Sequence, residues 1–450
     1  MSMALAGTFS GIDPKMIEGL IKAEGIPVEQ AKKRREKIIA EKTEFEKLQG
    51  LITNLDSSLN GLKTRTDFYK MKVESSHPDI MEGTVAGVAL LGTYEFEVRG
   101  LARSEKELAY GFPDKDQTPV GFGYMLVERA DKEPFEVVVE PDSTLQDVAA
   151  QINEANAGVK AMVVNTKYKP DSYRLLVVSE QSGEEAKIYL DQDSTFLEFK
   201  EQVTGKNLDV LFEDVPITDE DNTLDELIDG VSFSVKRSEP GTRVQVSVLH
   251  DMDATLEGIQ GFVDNYNEIN NFIGGQFKDP RQGDPGKLAA DSSIKQIMRQ
   301  LQFTLFAPQS SSTKFKTLAQ IGISTNPKTG ELDIDETKVR AALTDDYDSV
   351  AQLFIRSPNG DGVGERMAGA IKAFRDPQSG VLKTRVRGFD SIIKSQDKDI
   401  ERRERQLGER EESIKRRFSA LDSRMNSLKA QGNFLSQRFG GGGAPQGGGG

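Results

Sequence analysis

Near the end of the chain, Ile393, Ile400, Leu407, Ile414, Leu421, Leu428 and Leu435 recur at every seventh position. A seven-residue apolar period keeps one face of a helix turned toward a partner. The companion seam is mixed: Asp397, Glu404 and Glu411 are charged, and only Phe418, Met425 and Phe439 are apolar. A helix over residues 383–438 spans about 80 Å at 1.5 Å per residue, too long for a compact domain, so a rod is predicted. The start of the chain carries a matching pattern. Asp13-Pro14 reads as a capped helix start, after which Met16, Ile17, Leu20 and Ile21 share one face. Gly25-Ile26-Pro27 predicts an interruption, because a residue before proline is pushed out of the α region. Beyond it Ile38, Phe45, Ile52 and Leu59 recur every seven residues, and so do Leu48, Leu55 and Leu62, three places on. The simplest partner for the C-terminal stripe is this N-terminal one, folded back so that both ends share one antiparallel coiled-coil leg. Beyond Phe418 the stripe is expected to remain for other subunits.

From about residue 70 to 250 the period changes from seven to two. TYEFEVR, VSFSVKR and TRVQVSV alternate apolar and polar residues as half-buried strands do, and FEVVVE, KAMVVN and YRLLVVSE add more. Two stretches look alike as helix starts, STLQDVAAQIN at Ser143 and NTLDELIDGV at Asn222, each a polar cap before a short amphipathic run. After 250 the helical period returns: Leu256, Ile259, Val263, Tyr266 and Ile273 line one helix, and Ile294, Ile297, Met298, Leu301 and Leu305 another. GISTNPKTGELDIDETKVRAAL brackets a short strand between turn signals, with Asp335 as a helix cap. The predicted fold class is α+β multidomain: a long coiled-coil leg from both termini, a helix-rich domain beside it, and inserted, mostly antiparallel, β-rich head domains. The closing GGGGAPQGGGG has linker composition and is set apart from the fold.

Composition narrows the function by exclusion. The 450 residues contain no cysteine, which removes disulfides, thiolate nucleophiles and Cys-ligated metal. The net charge is −14, and residues 101–250 hold 15 Lys and Arg against 30 Asp and Glu, a balance that argues against nucleic acid as the main ligand. No apolar run is long enough for a membrane-spanning helix, so no membrane insertion is expected. MSMALAGTFSGIDPK lacks the pattern of a cleaved secretion signal, which taken alone reads as cytosolic. His77 and His250 lack partners in the sequence that would suggest catalysis. The acidic run DVPITDEDNTLDE misses the EF-hand template, with Leu224 where Gly is required and Gly230 where Glu is required. GFGYML and QGDPGKLA fall short of nucleotide-binding fingerprints. No enzyme activity, cofactor or metal is expected.

GIDPKMIEGLIKAEGIPVEQ resembles the opening of the flagellar hook-associated protein 2 family, the filament-cap proteins, with Gly11, Ile12, Asp13, Ile17, Leu20, Glu24 and Pro27 in the matching places. The likeness continues in STLQDVAAQINEANAGVKAMVVN, NTLDELIDGVSFSVK, GFVDNYNEINNFI, IGISTNPKTGELDIDETKVRAAL and RRFSALDSRMNSLKAQGNFLSQRF. It implies a structural protein of the bacterial flagellum, exported by the type III apparatus without a cleaved signal and placed extracellularly at the distal filament tip. The implied partners are further copies of the chain in a ring-shaped homo-oligomer, flagellin that folds and inserts beneath the ring, the hook-filament junction protein, and an export chaperone before secretion. On this chain the parts are expected at 1–42 with 420–439 (terminal leg), 43–70 with 251–419 (helical bundle), 71–108 with 192–250 (β-rich head), 109–191 (inserted α+β head) and 440–450 (tail). The apolar seam residues named at both ends form the candidate site, as leg packing and as contacts to other subunits and flagellin. A surface adhesin that binds glycans through the head stands as the alternative.

Overall fold

A computed structural model describes residues 14–129, 132–278, 286–308 and 312–439. The expected cap Asp13, the side chain of Phe439 and the Gly-rich tail lie outside what it describes. The chain opens with α1 (Pro14–Asn60) and the single-turn α2 (Arg65–Phe68), followed by β1 (Met71–Ser75), β2 (Met81–Val85) and β3 (Gly92–Gly100). Next come β4 (Lys106–Ala109), β5 (Gly121–Arg129), β6 (Phe135–Val139), α3 (Leu145–Ala155), β7 (Val159–Asn165), β8 (Tyr173–Ser179), β9 (Ile188–Thr195) and β10 (Phe199–Val203). Five strands follow: β11 (Leu208–Phe212), β12 (Val215–Asp219), β13 (Thr223–Ile228), β14 (Val231–Val235) and β15 (Arg243–His250). The last part holds α4 (Met252–Gln276), α5 (Ser292–Phe306), β16 (Ile323–Thr325), β17 (Leu332–Ile334), α6 (Glu336–Asp345), α7 (Tyr347–Phe354), α8 (Val363–Arg375) and α9 (Val381–Phe439). Two compact units result, one of the chain up to Lys63, Gln260–Val339 and Gln352 onward, the other of Thr64–Ile259 with Arg340–Ala351.

In the first unit α1, α5, α8 and α9 pack on one another. The apolar stripe of α5 (Ile294, Ile297, Met298, Leu301, Leu305) is buried as its spacing predicts, and so are Val263, Tyr266 and Ile273 of α4. Burial pushes the Tyr266 phenol up to about 12. The asparagines of NYNEINN fasten the β16–β17 hairpin. The Asn267 amide accepts from Leu332 N at 2.7 Å and donates to Leu332 O at 2.9 Å, and Asn270 donates to Thr329 O at 2.9 Å. Asp335 accepts from Lys338 N at the start of α6, as its position suggests.

Contrary to the expected break, α1 runs through Gly25-Ile26-Pro27 without interruption. An interior proline loses one hydrogen bond and costs about 3 kcal/mol in isolation. Here Pro27 is exposed, while its neighbours Val28 and Ala31 are buried where α1 lies along α9. Packing outweighs the local penalty.

The second unit holds two cores. One lies between the five-stranded sheet β1-β15-β3-β11-β12 and the three-stranded sheet β13-β14-β2, with Phe96, Val210, Phe233 and Val246 buried between them. The other belongs to the inserted part, where β10-β4-β8-β7 faces β6-β5-β9 and α3 closes one side. At the end of β15, His250 stacks flat on Tyr347 of α7 at 3.8 Å, with Tyr69 edge-on to both. Burial holds the His250 imidazole below its ordinary value. His250 thus packs as an aromatic plate.

NTLDELIDGV, expected as a helix, is instead β13 and its turn into β14. The twin stretch STLQD does form α3, through a reciprocal cap in which Thr144 and Asp147 satisfy each other's backbone N–H groups. Asn222 is engaged elsewhere: its amide accepts from Ala102 N at 2.8 Å and donates to Ala102 O at 3.0 Å. Its carbonyl accepts from Val235 N. Leu224 and Ile228 then reach the core in a bulged ladder, with Glu226 in the left-handed region at φ 62°.

The inserted domain is also longer than 109–191. A limit at residue 191 cuts β9, which pairs with β5, and excludes β10, which pairs with β4. The two sheets of the inserted part run from β4 to β10, Lys106 to Val203. The polar alternation of IYLDQDST hid an outer strand.

Candidate functional site: the terminal leg

Helices α1 and α9 run antiparallel along each other and make the broadest helix contact in their unit. Cross-pairs fix the register: Lys42 donates to Asp390 at 2.7 Å, Lys32 bonds Glu404 at 2.9 Å, and Arg35–Asp397 and Arg410–Glu24 continue the series. Residue numbers rise on α9 as they fall on α1. Asp397 and Glu404, which make the C-terminal seam look half polar, therefore flank the seam and meet bases across it. Exposed pairs of this kind set register more than they add stability.

Burial along the leg is graded. Phe45, Leu48, Ile52, Leu55, Leu59 and Leu62 are fully enclosed, and Phe45 meets Phe389 edge to face with ring centres 5.9 Å apart. Further along, Ile400 is buried, whereas Ile17, Ile21, Ile38, Ile393, Leu407, Ile414, Phe418 and Met425 are half-buried. Leu20, Leu421, Leu428 and Leu435 are exposed, by 45%, 46%, 60% and 53%. The register accounts for the exposed end of the α9 row. It sets Pro14, the first described residue of α1, against the turn of α9 that holds Leu421, so the last turns of α9 run beyond it.

Spacing alone missed Val28, Ala31 and Phe389, all buried, and the exposed Phe434. Ala31 does lie seven residues before Ile38, but an alanine is a weak mark in a pattern of large aliphatics. Val28 was missed because the companion seam position changes along α1. It stands three residues after each main position from Phe45 onward, and four after it below, where Ile21, Val28, Arg35 and Lys42 occupy it. Arg35 and Lys42 there answer Asp397 and Asp390.

The thick end of the leg is tied to α5 by one buried carboxylate. Asp291 caps α5, accepting from Ser293 N at 3.0 Å and Ser293 Oγ at 2.6 Å, and takes Arg385 Nε at 2.6 Å. The same guanidinium lies 4.5 Å over the Phe389 ring. Burial pushes the Asp291 carboxyl up, but the Ser293 donors and Arg385 outweigh it, so its pKa lies below the usual carboxylate value. A carboxylate depressed on folding adds stability above its unfolded pKa of about 3.9, and that stability is lost as the pH falls through the folded pKa. Asp291→Asn is therefore expected to melt below the parent at neutral pH, with the gap narrowing as the pH is taken below about 4. Calorimetry across that range checks it; a gap independent of pH would exclude the charge.

Among the described residues no cluster of His, Asp and Glu could hold a metal, and no helix is long and apolar enough to cross a membrane. The acidic run DVPITDEDNTLDE makes β12, β13 and their connection. What the molecule presents is a long, partly covered helical seam in one unit and two β-rich cores in the other. Comparison with known proteins names the class. Residues 10–105 match the family model for the flagellar hook-associated protein 2 N-terminus, and residues 205–430 match the model for its C-terminus. The chain belongs to the flagellar hook-associated protein 2 family.

The A-type flagellar hook-associated protein 2 of Pseudomonas aeruginosa is 27% identical over 435 residues, covering 89% of each chain. The flagellar hook-associated protein 2 of Escherichia coli K12 is 23% identical over 425 residues, covering 88% of this chain and 90% of its own. The solved D1-D2-D3 domains of the E. coli flagellar cap protein FliD share the fold, with a TM-score of 0.64 and 23% identity over 77% of this chain and 99% of that one. The interval between the two family-model matches coincides with the inserted domain, Lys106 to Val203.

Proposed function

We propose that this chain caps the distal end of the bacterial flagellar filament as a homo-oligomer, outside the cell, and promotes the folding and insertion of exported flagellin. The observation that carries the reading, beside family membership, is the run of α9 past Leu421 with apolar residues in solvent. A seam of this kind is completed by further helices. In the cap these would come from other copies of the chain and from flagellin; the hook-filament junction protein receives the cap at the start of growth. Before export by the type III apparatus, an export chaperone would cover the same stripe. The work is done by geometry, with no enzymatic step, cofactor or metal. The relatives' descriptions give no support to the glycan-adhesin alternative.

The proposal is tested in a flagellated strain from which its own cap protein has been deleted. Expression of this chain is expected to restore filaments, measured as filament length by electron microscopy and as loss of unpolymerised flagellin from the medium. Filaments that stay absent although the chain is exported and folded would overturn it.

A further inference from the structure

Asparagine followed by glycine occurs twice in the chain, at Asn60-Gly61 and at Asn359-Gly360, and the fold treats the two differently. In this dipeptide the next backbone nitrogen reaches the side-chain amide carbon most easily, because glycine has no Cβ to hinder the approach and adopts the conformations it needs. Asn359 is exposed in the turn between α7 and α8. Ser357 and Gly360 close that turn with two main-chain bonds, Ser357 N to Gly360 O at 2.9 Å and Gly360 N to Ser357 O at 3.1 Å. Gly360 sits at φ 141°, a conformation that favours glycine, so the turn itself asks for the residue that makes Asn359 reactive. Asn359 N donates to Ser357 Oγ at 3.2 Å, whereas the Asn359 side-chain amide makes no hydrogen bond among the described residues.

Asn60 is held otherwise. It is the last residue of α1, the enclosed Leu59 and Leu62 stand on either side of the pair, and its Oδ1 accepts from Lys63 Nζ at 2.5 Å. Helical backbone turns the following nitrogen along the axis and the side chain outward, which keeps the two apart. At Asn359 only the bond from Gly360 N to Ser357 O has to open before the nitrogen is free, and in an exposed turn such opening costs little.

We propose that Asn359 is a site of self-modification, converting to aspartate and isoaspartate in the folded chain. Gly360 N attacks Asn359 Cγ; the new N–Cγ bond forms as the Cγ–Nδ2 bond breaks, and the amide nitrogen leaves as ammonia with the proton from Gly360 N. Water then opens the resulting succinimide, its hydroxyl adding to a ring carbonyl and its proton returning to the nitrogen. Opening at one carbonyl gives aspartate, and opening at the other gives isoaspartate, whose main chain runs through Cγ and is longer by a methylene. Either product adds a carboxylate close to Asp361 and Glu365, which already share Arg356 at 2.6 and 3.2 Å. The longer chain cannot be taken up after the turn, because Gly362 and Gly364 are pressed against main chain: a Cβ on Gly362 would collide with Phe354, and one on Gly364 would lie 3.0 Å from Leu62 O. The extra methylene therefore falls within the turn, at the expense of the Ser357–Gly360 bonds.

The test uses the full chain, incubated at neutral and mildly alkaline pH in heavy-oxygen water and then mapped by peptide mass spectrometry. The label is expected in the peptide that carries residue 359, as a mixture of aspartate and isoaspartate, at a rate that rises with pH because the attacking nitrogen must lose its proton. Asn60 should convert about tenfold or more slowly, the protection that about 1.4 kcal/mol of helix opening supplies. In urea, with α1 unfolded, Asn60 should rise to the rate of Asn359. Asn359→Gln, whose longer side chain would have to close a larger and slower ring, should take up no label at that position in the same time. Equal rates at Asn60 and Asn359 in the folded chain, or a residue 359 that stays unlabelled when folded and converts only in urea, would overturn the assignment.

Discussion

Phe45→Ala is expected to cost the helical unit about 3 to 5 kcal/mol, the largest single-residue loss of stability in the leg. The Phe45 ring is fully enclosed and meets Phe389, itself 1% exposed, edge to face. Removing it deletes buried aromatic surface, leaves a cavity between two long helices that cannot both close in, and forfeits an aromatic pair worth about 0.5 to 1.5 kcal/mol. Phe389 in turn supports Arg385, and Arg385 holds the cap Asp291 of α5. The loss is a large fraction of the 5 to 15 kcal/mol that ordinarily holds a domain. Urea unfolding followed by helical circular dichroism should show the midpoint of the helical unit falling while the β-rich unit, read by hydrogen exchange at β3 and β15, is unmoved. A shift below about 1 kcal/mol would mean that the leg is held elsewhere.

What could be read from the sequence was periodicity, and periodicity names a face without naming what covers it. The five-member stripe of α5 is buried as its spacing predicts; of the end rows, Phe45, Ile52, Leu59 and Ile400 are buried while Leu421, Leu428 and Leu435 are exposed. The errors share one cause, a tertiary contact overriding a local signal. Pro27 lies in a helix because Val28 and Ala31 are packed on their other side. Asn222 carries the same helix-start signal as Ser143, yet its amide bridges Ala102 from 120 residues away. β9 reads as polar because its alternate residues belong to an outward face. At the leg itself, the charges at Asp397 and Glu404 suggest a weak seam until Arg35 and Lys32 are set opposite them. The step from buried Ile400 to exposed Leu428 follows from the register in which α9 lies along the described part of α1, which no single window of sequence contains.

That gradient separates folding from assembly, and Leu421→Asp with Leu428→Asp is expected to divide them in an experiment. Both side chains are roughly half in solvent, so the pair of substitutions should leave the unfolding free energy of the purified chain within about 0.5 kcal/mol per site. In the assembled cap the same two leucines would be covered. With about half of each side chain already covered, completing their burial contributes about 1.5 to 3 kcal/mol for the pair, roughly ten- to a hundredfold in association. A carboxylate forced into the closed seam adds its desolvation to that loss. Filament growth in the cap-deleted strain should fail although the variant is exported and melts normally. The same change at Ile400, which is 8% exposed and packed within the leg, should lower stability as well and so cannot isolate the effect. Filaments of ordinary length from the Leu421/Leu428 variant would show that the overhanging stripe has no role in capping, and would leave the contacts of the β-rich domains to hold the copies together.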